Sequence, residues 1–134
     1  MKLYTLYTLL NTDRGYEIWG LNKLDHRNNG PARIWVSGEV SWFKNGKIHR
    51  EDGPAVIFDN GDRKWYKNGE LYRDDGPAVT WIDGTKLWYK KEELHREDGP
   101  AVIYPDGLQD WYLNDIKYTK EDYNAELIKR GVVK

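Results

Sequence analysis

The triplet Gly-Pro-Ala begins at Gly30, Gly53, Gly76 and Gly99, so the chain repeats every 23 residues. The nine residues His49–Ile57 recur word for word as His95–Ile103, with blurred copies at Tyr72–Thr80 and His26–Ile34. A fixed period of this size means that one small structural unit is written several times and that neighbouring units bury each other. Aligned on the triplet, an aromatic falls at Trp35, Phe58, Trp81 and Tyr104. A tryptophan falls at Trp42, Trp65, Trp88 and Trp111, each followed by a second aromatic, Phe43, Tyr66, Tyr89 or Tyr112. Trp19 lies one further period upstream, so a degenerate half-repeat precedes four full ones.

Within a unit the spacing predicts two strands and two turns. Ala55–Phe58 reads as a strand, Asp59–Gly61 as a turn, Arg63–Lys67 as an alternating strand and Asn68-Gly69 as a second turn. Asn-Gly and Asp-Gly between such runs are strong hairpin signals, because both residue types tolerate positive φ. The matching turns are Ser37-Gly38, Asn45-Gly46, Asp83-Gly84 and Asp106-Gly107. Lys91-Glu92 and Asn114-Asp115 replace Asn-Gly, which predicts turns of a different type there. The run from His or Tyr through Arg and two acids to Gly-Pro is a corner leading into the next unit, with Arg50, Arg73 and Arg96 beside acids they can pair with. An isolated hairpin is marginal, whereas stacked hairpins share a sheet.

The expected fold is therefore all-β: an elongated, single-layer antiparallel sheet of stacked hairpin repeats, about ten short strands in all. We read one repeat domain over 1–134. It comprises an N-terminal hairpin and half-repeat (1–29), four repeats (30–117) and a capping helix (118–134). The N-terminal hairpin pairs Leu3–Leu10 with Tyr16–Leu21 through a turn at Asn11–Gly15. In the last segment Thr119 is placed as an N-cap, Tyr118 and Tyr123 as a hydrophobic staple, and Gly131 as the stop. Tyr123, Leu127 and Ile128 are expected to face the last hairpin and cover the open sheet edge.

The HREDGPA-x-I…WY-x-NG pattern from Trp19 to Tyr118 resembles the MORN-like repeats of bacteriophage, giant-virus and bacterial proteins. They share this period and its aromatic hairpins between Asn-Gly and Asp-Gly turns. The resemblance implies a scaffold or interaction module and not a catalyst, with a viral protein acting on a host factor as one form of it.

The chemistry-bearing inventory agrees with that expectation. Cysteine is absent, and neither Ser37 nor Ser41 lies in a nucleophile elbow. His26, His49 and His95 share one phase of the repeat with Tyr72 and Tyr118. Tyrosine is a poor substitute for a histidine ligand, so a structural corner is favoured over a metal or acid–base site. The pairs Glu51-Asp52, Asp74-Asp75 and Glu97-Asp98 lack the pattern of calcium loops. No cofactor is implied. The 21 basic and 22 acidic side chains give no global reason to bind nucleic acid. No stretch approaches the roughly 20 apolar residues that span a bilayer. LYTLYTLL reads as a strand and not a signal peptide, and the expected location is cytoplasmic.

The remaining signal is aromatic: seven Trp and ten Tyr against two Phe. Adjacent residues of a strand point to opposite faces, so Trp65 and Tyr66 put aromatics on both. Either long Lys and Arg stems shield one face, or an exposed groove binds something. The candidate partner-binding residues are Trp42, Trp65, Trp88, Trp111, Tyr66, Tyr89 and Lys67. A protein partner, or a second copy of the chain, suits the balanced charge. A sponge for a small molecule or nucleotide, with sites between repeats or chains, is the alternative.

Overall fold

The computed structural model describes residues 6–11, 15–21, 24–25 and 27–134. The expected strand start at Leu3–Thr5, the turn residues Thr12–Arg14 and the His26 position lie outside them. The chain divides into two compact units, 1–70 and 71–134. Each is an open antiparallel sheet of stacked hairpins, and the second adds a helix, Lys120–Lys129 (α1).

In the first unit Leu6–Asn11 pairs with Tyr16–Leu21, Leu6 opposite Leu21 and Asn11 opposite Tyr16. Arg33–Trp35 adds to the other side of Tyr16–Leu21, followed in order by Val40–Ser41, Val56–Ile57 and Arg63–Lys64. In the second unit the order is Val79–Thr80, Lys86–Leu87, Val102–Ile103, Gln109–Leu113 and Ile116–Tyr118. The Asp-Gly-type turns behave alike. Gly38, Gly61, Gly84 and Gly107 all have positive φ, and each donates to the carbonyl three residues back, as Gly61 does to Phe58. Asn60, Asp83 and Asp106 close the loop by accepting from the backbone N–H two residues on.

Two expectations need correction. Eighteen strands are present among the described residues, not about ten: three of the four Trp-containing strands are broken in two, each repeat has a third strand after its second turn, and Leu24–Asp25 adds one more. Arg63–Lys64 ends before Trp65, and Tyr66–Lys67 begins a separate small hairpin. The reason is visible at Trp42 and Trp88. The Trp42 N–H donates to Ala55 O of the next repeat (2.7 Å), while its carbonyl accepts from His49 N (3.0 Å). Trp88 does the same with Ala101 and His95. Each tryptophan thus stands at a bend shared by the main sheet and a small hairpin, Phe43–Lys44 with Lys47–Ile48 or Tyr89–Lys90 with Glu93–Leu94. Only the last copy, which no further Gly-Pro-Ala follows, runs unbroken as Gln109–Leu113.

The second correction concerns the turns. Lys91-Glu92 (φ 49° and 67°) and Asn114-Asp115 (50° and 64°) adopt the same doubly left-handed geometry as Asn45-Gly46 and Asn68-Gly69. What keeps this geometry is stacking between repeats. Gly46, Gly69 and Asp115 donate their N–H to the carbonyls of Asp25, Ile48 and Leu94. Where an acid replaces glycine its carboxylate accepts from the backbone of the preceding repeat. Glu92 accepts from Leu71 N and Asp115 from Leu94 N.

The core is thin and made of small residues. Ala32, Ala55, Ala78 and Ala101 are wholly buried, with Val56, Val79 and Val102 next to them. Leu113, Tyr123 and Leu127 form a second cluster with Trp111 and Tyr118 packed against it. Thr119 caps α1 by accepting from Asp122 N, as expected, and Gly131 ends it. Ile128 does not face the hairpin; it is 57 % exposed.

Candidate binding cleft

The corner that follows each hairpin is built around its arginine. Arg50 Nη1 donates to Pro54 O (3.0 Å), its Nε to Asp52 (3.2 Å), and its guanidinium lies 3.8 Å over the Trp42 ring. Arg96 repeats all three, to Pro100 O, to Asp98 and over Trp88 at 4.0 Å. Arg27 and Arg73 bond Pro31 O and Pro77 O in the same way. The plane of the guanidinium lies against the corner glycine, and a Cβ on Gly53, Gly76 or Gly99 would come within 2.9 Å of its Cζ. A side chain there would make the guanidinium shift.

The histidines belong to the same corner. His49 Nδ1 accepts from Asn68 N (2.9 Å), so its proton sits on Nε2, which donates to Glu51 (2.7 Å). His95 does likewise with Asn114 N and Glu97. Both rings are buried. At the intervening copy the Tyr72 hydroxyl donates to Asp74, and this bond raises the phenol above its ordinary range. Both histidine nitrogens are therefore engaged, one of them by the turn of the next repeat. Among the described residues no three His, Asp or Glu converge as a metal would need, and no helix is long and apolar enough to cross a membrane.

Between successive corners a cleft opens over the tryptophan. In the first unit it is about 870 Å³. One wall is the corner Arg27–Pro31, the floor is Trp42, Phe43 and Lys44, and the other wall is His49–Asp52. In the second unit the corresponding cleft is about 210 Å³, with Tyr72–Asp74 and His95–Asp98 as walls and Trp88, Tyr89 and Lys90 as floor. The two share one phase of the repeat, and they differ in charge. Asn28 and Asn29 stand in the first where acids stand in every later corner.

The candidate residues distribute as follows. Trp42 and Trp88 floor the clefts, each with one ring face covered by arginine. Tyr89 lies in the second cleft, its phenol raised first by burial and then by the Asp115 and Glu92 carboxylates. Trp65 and Tyr66 are half-buried and Lys67 is exposed. Trp111 packs against the Leu113–Tyr123–Leu127 cluster. Sequence reasoning gave Arg27 and Arg50 no binding role; they stand in the cleft walls, while Lys44 joins Trp42 and Phe43 in the floor. The signal for the arginines was their place directly after the shared His/Tyr phase; for Lys44 it was the lysine two places after Trp42, Trp65 and Trp88. Comparison with family models, curated proteins and solved structures finds no match for the chain.

Proposed function

We propose that this chain is a non-enzymatic interaction module of the MORN-like kind, receiving a protein partner in the clefts between its corners. The observation that carries this is the recurrence of one cleft, floored by Trp, an aromatic and Lys, at the same phase in both units. Tryptophan, tyrosine and arginine are the side chains that anchor protein interfaces. The corner histidines, arginines and acids bond mainly to one another, which is the behaviour of scaffolding and not of a catalytic set. Given the resemblance to phage and giant-virus repeats, a cytoplasmic host protein is the partner to seek first. A small nucleotide is the second reading, supported by the Arg27, Lys44 and Arg50 side chains around the larger cleft.

The test is site-specific photo-crosslinking, with a benzophenone amino acid at position 44, 67 or 86, after light scattering has established whether the chain is a monomer. Lys86 lies on the main sheet and serves as control. Adducts to one protein from positions 44 and 67, and not from 86, are expected. Equal labelling from all three, or none, would remove the reading.

A further inference from the structure

We infer that the cleft between residues 27 and 52 takes a tyrosine side chain presented by an acidic helical peptide of a partner, and that the chain's own α1 displays how. The inference rests on the interaction reading above. Moving three periods along the chain carries Arg27–Pro31 onto Arg96–Pro100, Trp42 onto Trp111, Lys44 onto Leu113 and Asn45 onto Asn114. The two corners have the same shape. Arg27 and Arg96 each donate Nη1 to the proline carbonyl four residues on, at 3.2 and 3.0 Å, and their backbone N–H groups bond Phe43 O and Tyr112 O.

In the last copy the space over this floor is occupied. Tyr123 of α1 is buried against Leu113 and Leu127, with Trp111 packed alongside. Its hydroxyl donates to Arg96 O (2.7 Å) and accepts from Gly99 N (3.2 Å). Arg130 donates to Asn114 Oδ1 (2.6 Å). The repeat therefore contains a filled example of the cleft that stands open between Arg27 and Asp52, where the equivalent backbone groups are those of Arg27 and Gly30.

The differences between the copies specify the occupant. Lys44 replaces Leu113, so the position that α1 fills with Leu127 calls for a carboxylate. Asn28 and Asn29 replace Glu97 and Asp98, so the acids left on this cleft are Glu51 and Asp52 of its far wall, against the cations of Arg27, Lys44 and Arg50. The second-unit cleft lacks this change. Its lining has three acids, Asp74, Glu97 and Asp98, against the two of the first cleft, and it is about 210 Å³ against about 870 Å³, so the same peptide is disfavoured there.

The test uses the full chain, isotope-labelled for NMR, titrated with two peptides. One has the sequence of residues 118–131; the other carries Leu127→Glu within it. The Leu127→Glu peptide is expected to shift the backbone signals of 27–30 and the Trp42 indole signal. Replacing its tyrosine at 123 by phenylalanine should weaken binding about five- to tenfold, the loss of a hydrogen bond. In Lys44→Leu protein the preference should reverse, the unmodified peptide binding better. Lys44 is exposed, so this variant is expected to fold, with circular dichroism as the check. Shifts confined to 96–113 would mean only displacement of the resident helix and would overturn the proposal. So would affinities indifferent to the phenol and to position 44, or shifts of the same signals by AMP with neither peptide binding. Crosslinking from position 44 alongside failed peptides would remove the tyrosine anchor and leave the interaction module intact.

Discussion

At the residue scale the molecule depends on a glycine that does not need unusual φ. Gly53 is fixed by the Arg50 guanidinium lying against it, and that guanidinium is itself held by Pro54 O, Asp52 and the Trp42 ring. A methyl group there must displace the arginine from at least one of these. Gly53→Ala is expected to destabilise by about 1–3 kcal/mol, as overpacking does, with loss of the stacked-indole signature in near-ultraviolet circular dichroism. A variant as stable as the parent would show that the arginine moves at no cost. Lys91 presents the opposite case. It holds φ 49° without glycine or asparagine, a strained choice for a long side chain. Lys91→Asn should stabilise by roughly 0.5–1 kcal/mol in denaturant titrations. Glu92→Gly should not, because relief at φ 67° is offset by removing the acceptor of Leu71 N.

At the scale of the element, α1 is short and held at both ends. Thr119 accepts from Asp122 N, while Gly131 and Val132 donate to Ile128 O and Leu127 O in a Schellman close. These ends were legible, since capping chemistry is local and residue-specific. The inward face was legible only in part. Tyr123 and Leu127 share it, but Ile128 sits a further step round the helix and faces out. What no local signal revealed is the Tyr123 hydroxyl reaching the Arg96–Gly99 corner. Burial, ahead of the lowering bond from Gly99, raises the Tyr123 phenol above its ordinary value. The unfolded chain therefore ionises first. The contribution of Tyr123 is complete below about pH 10 and is lost as pH climbs from there through the raised native value. Tyr123→Phe should lower stability at pH 8 by about 1–3 kcal/mol, by leaving Gly99 N without its partner. The gap to the parent should narrow between pH 9 and 11. A constant gap in thermal melts across that range would show that the phenol is not the titrating group.

At the scale of the whole molecule, the period made the architecture readable before any coordinate. The order of hairpins and the places of the turns followed from it; the geometry at Lys91-Glu92 and Asn114-Asp115 did not, and the terminal helix was read from its own capping residues. The breaks at Trp42 and Trp88 did not follow from it either, because each depends on a carbonyl of the next repeat, Ala55 O for Trp42 and Ala101 O for Trp88, a partner invisible to alternation within one strand. The tryptophans were legible as candidates for the same reason that their clefts were not: residue type repeats in the sequence, whereas a cleft needs two corners in space. One repeated position does tie end to interior. Among the four full repeats Lys44, Lys67 and Lys90 follow their tryptophans by two residues, and only the last has leucine, Leu113, wholly buried with Tyr123 and Leu127. Removing residues 119–134 should therefore uncover an apolar end made of Leu113 and Trp111. Such a patch on a sheet terminus favours self-association. The truncated chain is expected to appear as dimers and larger species by light scattering. Adding Leu113→Lys, which restores the residue type of the interior copies, should return it to the size of the parent species. If the truncated chain keeps the parent size without the lysine, α1 is not what shields the array's end. If the lysine fails to reverse the association, the exposed strand Ile116–Tyr118, and not the leucine, is the surface that sticks.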